Sequence, residues 1–395
     1  MSEKPDVLVI GGGVIGSAVA YFLAAEPAFD GRVTVVERDP TYATSSTALS
    51  VASIRQQFST PENIRMSLFG AEFFRSAGQY LAIDGEAPDI AFRESGYLFL
   101  ATEESLPILE SNHHTQLDCG AAVALLTPAE LRMRFPWLAV DDLAAGSLGL
   151  ANEGWLDSYA LLQAFKQKAI SLGVRYLRDE VVGLARQGNR LVAAELASGD
   201  RLEFGLAVNA AGPRANRLAA MAGLDLPVRA RKRIVHVIDC PQPIADCPLV
   251  IDPTGLYFRP EGRNFLSGIS PAPDQDPDQD PDSDGLELAN DLFETIWPLL
   301  ARRVPAFETL KLVRAWAGHY AYNTLDQNAI LGPHPEVENL YFTNGFSGHG
   351  LQQSPAVGRA MSELITFGSY RTLDLSRFGY ERIIENKPVP ELNVV

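Results

Sequence analysis

Residues 7–37 carry two alternating hydrophobic patterns. Val7-Leu8-Val9-Ile10 is an unbroken apolar run of strand length, ended by Gly11-Gly12-Gly13. Val14 to Ala25 is apolar all round at helical length, and Arg32 to Glu37 is a second near-continuous apolar strand closing on an acid. Unbroken apolar strands joined by a buried helix are the pattern of a parallel sheet covered on both faces. The unit predicted here is therefore βαβ.

Downstream, the pattern predicts a helix over Asn63–Tyr80 and alternating strands and short helices over Arg93–Leu150. Within the latter, Thr127-Pro128-Ala129-Glu130 reads as a capped helix start. Leu156–Leu172 is an amphipathic helix with Asp157 or Ser158 as its cap. Val174–Leu196 reads as strand, turn, strand, and Leu206–Gly212 as another buried strand running into a glycine turn. Arg229–Asp239 and Gly255–Ile269 predict an antiparallel sheet. Residues 286–303 predict a helix, and Gly345–Ile365 a glycine turn followed by a last helix. Ser270–Gly285, with alternating Pro, Asp and Gln, cannot bury enough apolar surface to fold alone and is expected as an exposed loop. Its aspartates lack the spaced Gly and terminal Glu of a calcium loop.

Composition narrows the partners. A net charge of −16 with no long basic run disfavours nucleic acid and anionic membrane, and 21% charged residues fit an ordinary soluble enzyme. The three cysteines, Cys119, Cys240 and Cys247, form neither a C-x-x-C pair nor a disulfide framework, so no metal site is expected. No signal peptide, transit peptide or membrane span is visible at the N-terminus, and a reducing, cytoplasmic setting is the expectation.

Gly11-x-Gly13-x-x-Gly16 follows a strand and opens a helix. The first glycine allows the tight turn, the second lets backbone approach a pyrophosphate, and the third lets helix and strand pack closely. Val14 and Ile15 supply free N–H groups at a helix start, where anions bind. Glu37, about 20 residues beyond Gly16, is placed to accept from ribose hydroxyls and to repel a 2′-phosphate. The alternative is a tight glycine turn with no ligand. The fingerprint does not choose between NAD and FAD.

Four blocks together resemble the D-amino-acid oxidase-like flavoenzyme superfamily, in its sarcosine, glycine and dimethylglycine oxidoreductase branch. They are Val7–Glu37, the Ser-rich segment through Arg55, Val208-Asn209-Ala210-Ala211-Gly212, and Leu340–Gly350. Within that branch, Arg55–Ser59 through Leu68-Phe69 and Trp316-Ala317-Gly318 through Gln353 are similar to a mitochondrial subgroup linked to respiratory complex I assembly.

The resemblance implies an α/β, Rossmann-like FAD-binding domain of the glutathione-reductase type. It is discontinuous, at 1–80, 151–225 and 320–395, with an antiparallel-sheet α+β substrate domain at 81–150 and 226–319. It implies that FAD meets Arg38 beside Glu37, Ser45, Ser46 and Thr47 near the pyrophosphate, and Val181 at the adenine. Ala211 and Gly212 would line the ADP side. Gly318, Gly345, Gly348, His349, Gly350, Leu351 and Gln352 would line the flavin, where a helix N-terminus can stabilise developing negative charge.

This chain departs from the branch at several positions. Leu49 stands where a histidine carries covalent flavin, and His319 lies near the cysteine counterpart, so non-covalent FAD is expected. Gln352 replaces a carboxylate-binding lysine, His319-Tyr320 replaces a glycine-oxidase arginine segment, and Leu266 lies where an oxygen-activating lysine is found. Arg55, Tyr257, Arg259 and Tyr320 are candidates to complete the carboxylate site, and His349 could take a proton or tune the flavin.

The implied activity is oxidation of the C–N bond of a secondary or N-alkyl amino acid, with oxygen or an electron carrier as acceptor. A 2-hydroxy acid dehydrogenase on the same fold, and an assembly flavoprotein without turnover, are the alternatives.

Overall fold

The computed structural model describes residues 6–282, 288 and 292–392. Strand β1 (Val7–Ile10), helix α1 (Val14–Ala25) and strand β2 (Val33–Glu37) form the expected unit. β1 pairs in parallel with β2 and with Leu206–Asn209. Outward from these, Arg175–Arg178 extends the sheet beyond β2, and Leu340–Asn344 and then Ile330–Pro333 extend it on the other side.

The unbroken apolar runs have a direct cause. Val7, Val9, Val33 and Val35 pack into one core with α1, while Leu8, Ile10 and Val36 pack into a second core on the opposite face. Helices Ser158–Ser171 and Gly350–Phe367 share the first core with α1, and the second is closed by a three-stranded meander, Val181–Gln187, Arg190–Leu196 and Arg201–Glu203. Both faces being covered, no polar position is tolerated along β1.

The second sheet has eight strands, running Lys311–Asn323, Val228–Asp239, Asn264–Ile269, Leu256–Glu261, Leu249–Ile251, Tyr97–Ala101, Ala145–Gly149 and Val123–Leu126. Its pairings are antiparallel except one, because Leu249–Ile251 runs parallel to Tyr97–Ala101. Helix Leu292–Arg303 and Phe307 cover one face. On the other, Val235, Val237 and Leu266 pack with Val51 and Trp316.

Several boundaries differ from expectation. The Asn63–Tyr80 helix is two helices, Pro61–Arg75 and Ala77–Tyr80, with the break at Ser76. Of Val174–Leu196, the first stretch joins the parallel sheet and only the remainder is a hairpin. The helix expected over 286–303 is seen from Leu292; residues 286, 287 and 289–291 lie outside the described residues. Asp157 is the cap of Ser158–Ser171, accepting from the Ala160 N–H at 2.9 Å. Thr127 and Glu130 form a reciprocal capping box.

The Pro/Asp segment is, in its described part, the largely exposed loop expected, with residues 283–285 outside the described residues, but it does not hang free. Residues 276–282 lie against the Val228–Asp239 strand, with the Gln279 N–H donating to the Ala230 carbonyl at 2.9 Å, and Asp276 is buried. Charge pairing, rather than apolar burial, holds this segment down.

Candidate active site

A cavity of about 560 Å³ runs from the β1–α1 turn to the start of helix Gly350–Phe367. That is within the range of a cofactor site. Gly11, Gly13, Val14 and Ile15 line one end, beside Glu37, Arg38 and Val181. Ser45, Ser46, Thr47, Ala211 and Gly212 line its middle, and Gly318, Tyr320, Gly348, Gly350 and Leu351 the far end.

At Gly11 and Gly16 no side chain fits. A Cβ on Gly11 would lie 2.4 Å from the Ala210 carbonyl oxygen, and Gly11 adopts φ +104. A Cβ on Gly16 would lie 1.9 Å from the Gly11 oxygen, so Gly16 packs helix against turn instead of lining the cavity. Gly13, by contrast, faces open space, with Thr47 Oγ1 as the nearest atom to its notional Cβ at 3.5 Å. A cradle this narrow, walled by backbone N–H groups at a helix start, fits a pyrophosphate.

Glu37 has a second role that spacing could not reveal. Its carboxylate accepts from the Gly12 N–H at 2.7 Å and the Asp39 N–H at 2.8 Å, tying the glycine turn to β2. Burial pushes its pKa up, while those two N–H donors pull it down. Thr47 Oγ1 accepts from the Val14 N–H at 3.2 Å, and the Ser46 hydroxyl donates to the His319 carbonyl at 2.5 Å. Tyr42 Oη and His319 Nε2 are buried at the cavity without a hydrogen-bond partner among the described residues.

At the other end, His349 precedes helix Gly350–Phe367, whose first-turn N–H groups have no carbonyl behind them in the helix. Gly345 turns the chain at φ +72 but its notional Cβ meets Asn323 and Val228, so it shapes the approach without lining the cavity.

A smaller cavity opens from this end. Val51, Tyr257, Tyr320 and Gly348 line both and form the doorway, while Arg55, Tyr97, His349 and Gln352 line the smaller one alone. Arg55 is only 2% exposed. Its backbone N–H donates to Gln352 Oε1 at 2.8 Å, and its guanidinium donates to the Gln57 carbonyl and to His349 Nε2, the latter at 3.0 Å. The guanidinium carbon also sits 4.1 Å from the Phe58 ring centroid. Since arginine only donates, His349 Nε2 is an acceptor and the neutral ring carries its proton on Nδ1. Burial, with the Arg55 charge, holds the His349 pKa well below its ordinary value. A free general base at His349 is therefore not what the geometry offers, because its lone pair is already used.

The Tyr257 and Tyr320 hydroxyls have no protein hydrogen-bond partner among the described residues, and burial raises both pKa values, so both are O–H donors at the doorway. Arg259 is displaced from the carboxylate role. It is buried and lines neither cavity, donating to the Val51 carbonyl at 2.8 Å and pairing with Glu261.

Two residues carried no sequence signal. Arg233 lines the large cavity next to Tyr320, its charge balanced by Asp276 at 2.8 Å. Glu153 is fully buried behind Arg55, accepting from the Gln56 N–H at 2.6 Å and from Gln57 Nε2 at 2.8 Å. Burial pushes its pKa up to about 7.

Residues 6–364 match the family model described as FAD dependent oxidoreductase. The chain belongs to this family. Among its relatives, the Xenopus laevis protein named FAD-dependent oxidoreductase domain-containing protein 1 is 45% identical over 100% of this chain and 85% of its own length. Glycine oxidase of Geobacillus kaustophilus is 28% identical over 97% of this chain and 98% of its own. Among solved structures, L-proline dehydrogenase from P. horikoshii superposes with a TM-score of 0.85 at 27% identity, covering 98% of this chain and 100% of that one. The protein is thus an FAD-dependent oxidoreductase related to glycine, sarcosine and proline oxidoreductases. No helix among the described residues is long and apolar enough to cross a membrane.

Proposed function

We propose that this oxidoreductase oxidises the C–N bond of a secondary or N-alkyl amino acid, with non-covalent FAD in the large cavity and the substrate at the doorway. Bound FAD supplies a two-electron, hydride-accepting centre. The substrate becomes an imine, which water hydrolyses.

The observation that carries the reading is the buried Arg55 beneath two unpartnered phenols. The Arg55 and Arg233 charges both act on Tyr320. An anionic carboxylate therefore meets a positive potential and two O–H donors as it enters. The same field works on the amine. The Arg55 charge contributes to holding the His349 ring neutral, and by the same physics it disfavours a substrate ammonium relative to the free amine. Only the free amine has the lone pair that C–N oxidation requires, so the Arg55 charge serves both binding and chemistry. Gln352, which accepts from the Arg55 backbone, orients that arginine.

At the large cavity, Gly11, Gly13 and the first turn of α1 are proposed to hold the pyrophosphate, and the start of helix Gly350–Phe367 to face the flavin pyrimidine. The three cysteines do not line the cavity, which supports a cofactor held without a thioether bond. Their free state also fits a reducing, cytoplasmic setting.

The test is anaerobic mixing of the holoprotein with proline, N-methyl amino acids and 2-hydroxy acids while flavin absorbance is followed, then admission of oxygen. Bleaching by secondary amino acids is expected. Bleaching by hydroxy acids alone would overturn the reading. Acid precipitation should release all flavin into the supernatant.

A further inference from the structure

The Pro/Asp-rich segment takes no part in the function proposed above, yet its charges alternate with the same period as a row of arginines. Arg229, Arg231 and Arg233 occupy alternate positions of strand Val228–Asp239, and Asp276, Asp278 and Asp280 alternate opposite them. An antiparallel bridge between Ala230 and Gln279 sets the register. In that register Arg233 meets Asp276 at 2.8 Å and Arg231 meets Asp278 at 2.9 Å. The arginines are backed by aromatic rings, with Arg231 5.4 Å from the Tyr322 centroid and Arg233 5.1 Å from that of Tyr320.

The outer end of the segment reaches the cavity. Asp282 lines it, and three arginines from separate elements converge on this one carboxylate: Arg38 at 2.8 Å, Arg214 at 2.6 Å, and Arg217. Arg217 also holds Asp280 at 2.5 Å. Arg38 follows Glu37 at the end of β2, and Arg214 follows the Ala211-Gly212 turn, so the convergence lies in the part of the cavity lining shared with Glu37 and Val181.

We propose that residues 276–282 are an ionic clasp across the adenosine end of the FAD cavity, slowing release of the cofactor so that retention depends on salt. The inference rests on the reading that FAD occupies the large cavity. The two ends of the clasp differ in character. Side chains of the Arg233–Asp276 pair are 13% and 10% exposed, shielded from ions in solution, whereas those of Arg217 and Asp280 are 41% and 54% exposed. Screening therefore loosens the outer end first, while the buried pair keeps the segment anchored near Tyr320. Ion pairing here does what apolar burial cannot, since the segment has almost no apolar side chains.

The experiment follows FAD release from the holoprotein by the rise in flavin fluorescence after dilution. Sodium chloride is raised from about 0.05 to about 0.5 M, shortening the screening length from roughly 14 to roughly 4 Å. With each outer pair contributing roughly a factor of two, release should accelerate by about tenfold. The triple variant Asp278→Asn, Asp280→Asn, Asp282→Asn should release FAD at the fast rate at every salt concentration. Wild-type release that changes by less than about twofold, or a variant that keeps the wild-type rate or the wild-type salt dependence, overturns the clasp. If the variant does not fold, hydrogen exchange on the wild type decides. Exchange of the Gln279 amide should rise in step with release, and protection that persists while FAD leaves overturns the proposal. A protein that takes up no FAD at low salt refutes the cofactor reading instead.

Discussion

Glu153→Gln isolates a titration hidden behind the site. The Glu153 carboxyl is fully buried and receives the Gln56 N–H and the Gln57 side-chain amide, and the Gln57 carbonyl in turn receives the Arg55 guanidinium. Burial moves its pKa from the ordinary 4.5 up to about 7. Between those two values the folded chain holds a proton that the unfolded chain has already released. Stability contributed by this group is therefore present at low pH and falls as pH rises through the window, by about 3 kcal/mol in all. Glutamine removes that proton from both states. It also turns one of two acceptors into a donor facing a donor, a fixed cost of roughly 1–3 kcal/mol. The variant should therefore be less stable than wild type near pH 5 and should close or reverse the gap near pH 8. Its stability difference from wild type should change by roughly 2–3 kcal/mol across that range. Urea unfolding followed by tryptophan fluorescence at a series of pH values measures this directly. A difference that stays constant with pH would show that Glu153 does not titrate there and would refute the reasoning.

Gly16→Ala places a methyl 1.9 Å from the Gly11 oxygen; relief by shifting α1 should weaken FAD binding roughly 5- to 150-fold, as about 1–3 kcal/mol of overpacking implies, read by FAD titration of apoprotein, and an unchanged affinity counts against the cradle. Arg55→Gln removes one of the two causes depressing the His349 pKa, so any acid limb due to His349 in the rate of anaerobic flavin reduction should move to higher pH; an unmoved limb denies the contact its electrostatic role. Arg303→Met leaves the buried Asp252, now paired at 2.5 Å, without its cation, and should cost about 3–5 kcal/mol in urea unfolding. A loss below about 1 kcal/mol would mean the pair is already screened by water.

The resemblance brought together the outline of the site: Gly11, Gly13, Val181, Ala211 and Gly348 all line one cavity. It carried Arg259 too far, because a residue type does not say which face of a strand it occupies or which carbonyl it meets. It missed Arg233 and Glu153 because each acquires meaning only from a partner elsewhere: Asp276 for the one, the Gln56-Gln57 turn for the other. His349 was legible as a site residue, but its lone pair is claimed by Arg55, 294 positions away.

What the sequence determined alone was local. Continuous apolar strands, a glycine-rich turn opening a helix and an acid closing β2 specify a covered parallel sheet with an anion cradle, since burial and backbone sterics act over a few residues. The Pro/Asp segment shows the other half. Its composition promised only that it could not build a core, and that holds. Only the tertiary structure decided that its aspartates would lie opposite Arg38 just past β2, the Arg214 turn and a strand more than forty residues upstream. Coulomb attraction has no sequence period of its own; it pairs whatever charges the packed sheets bring within reach.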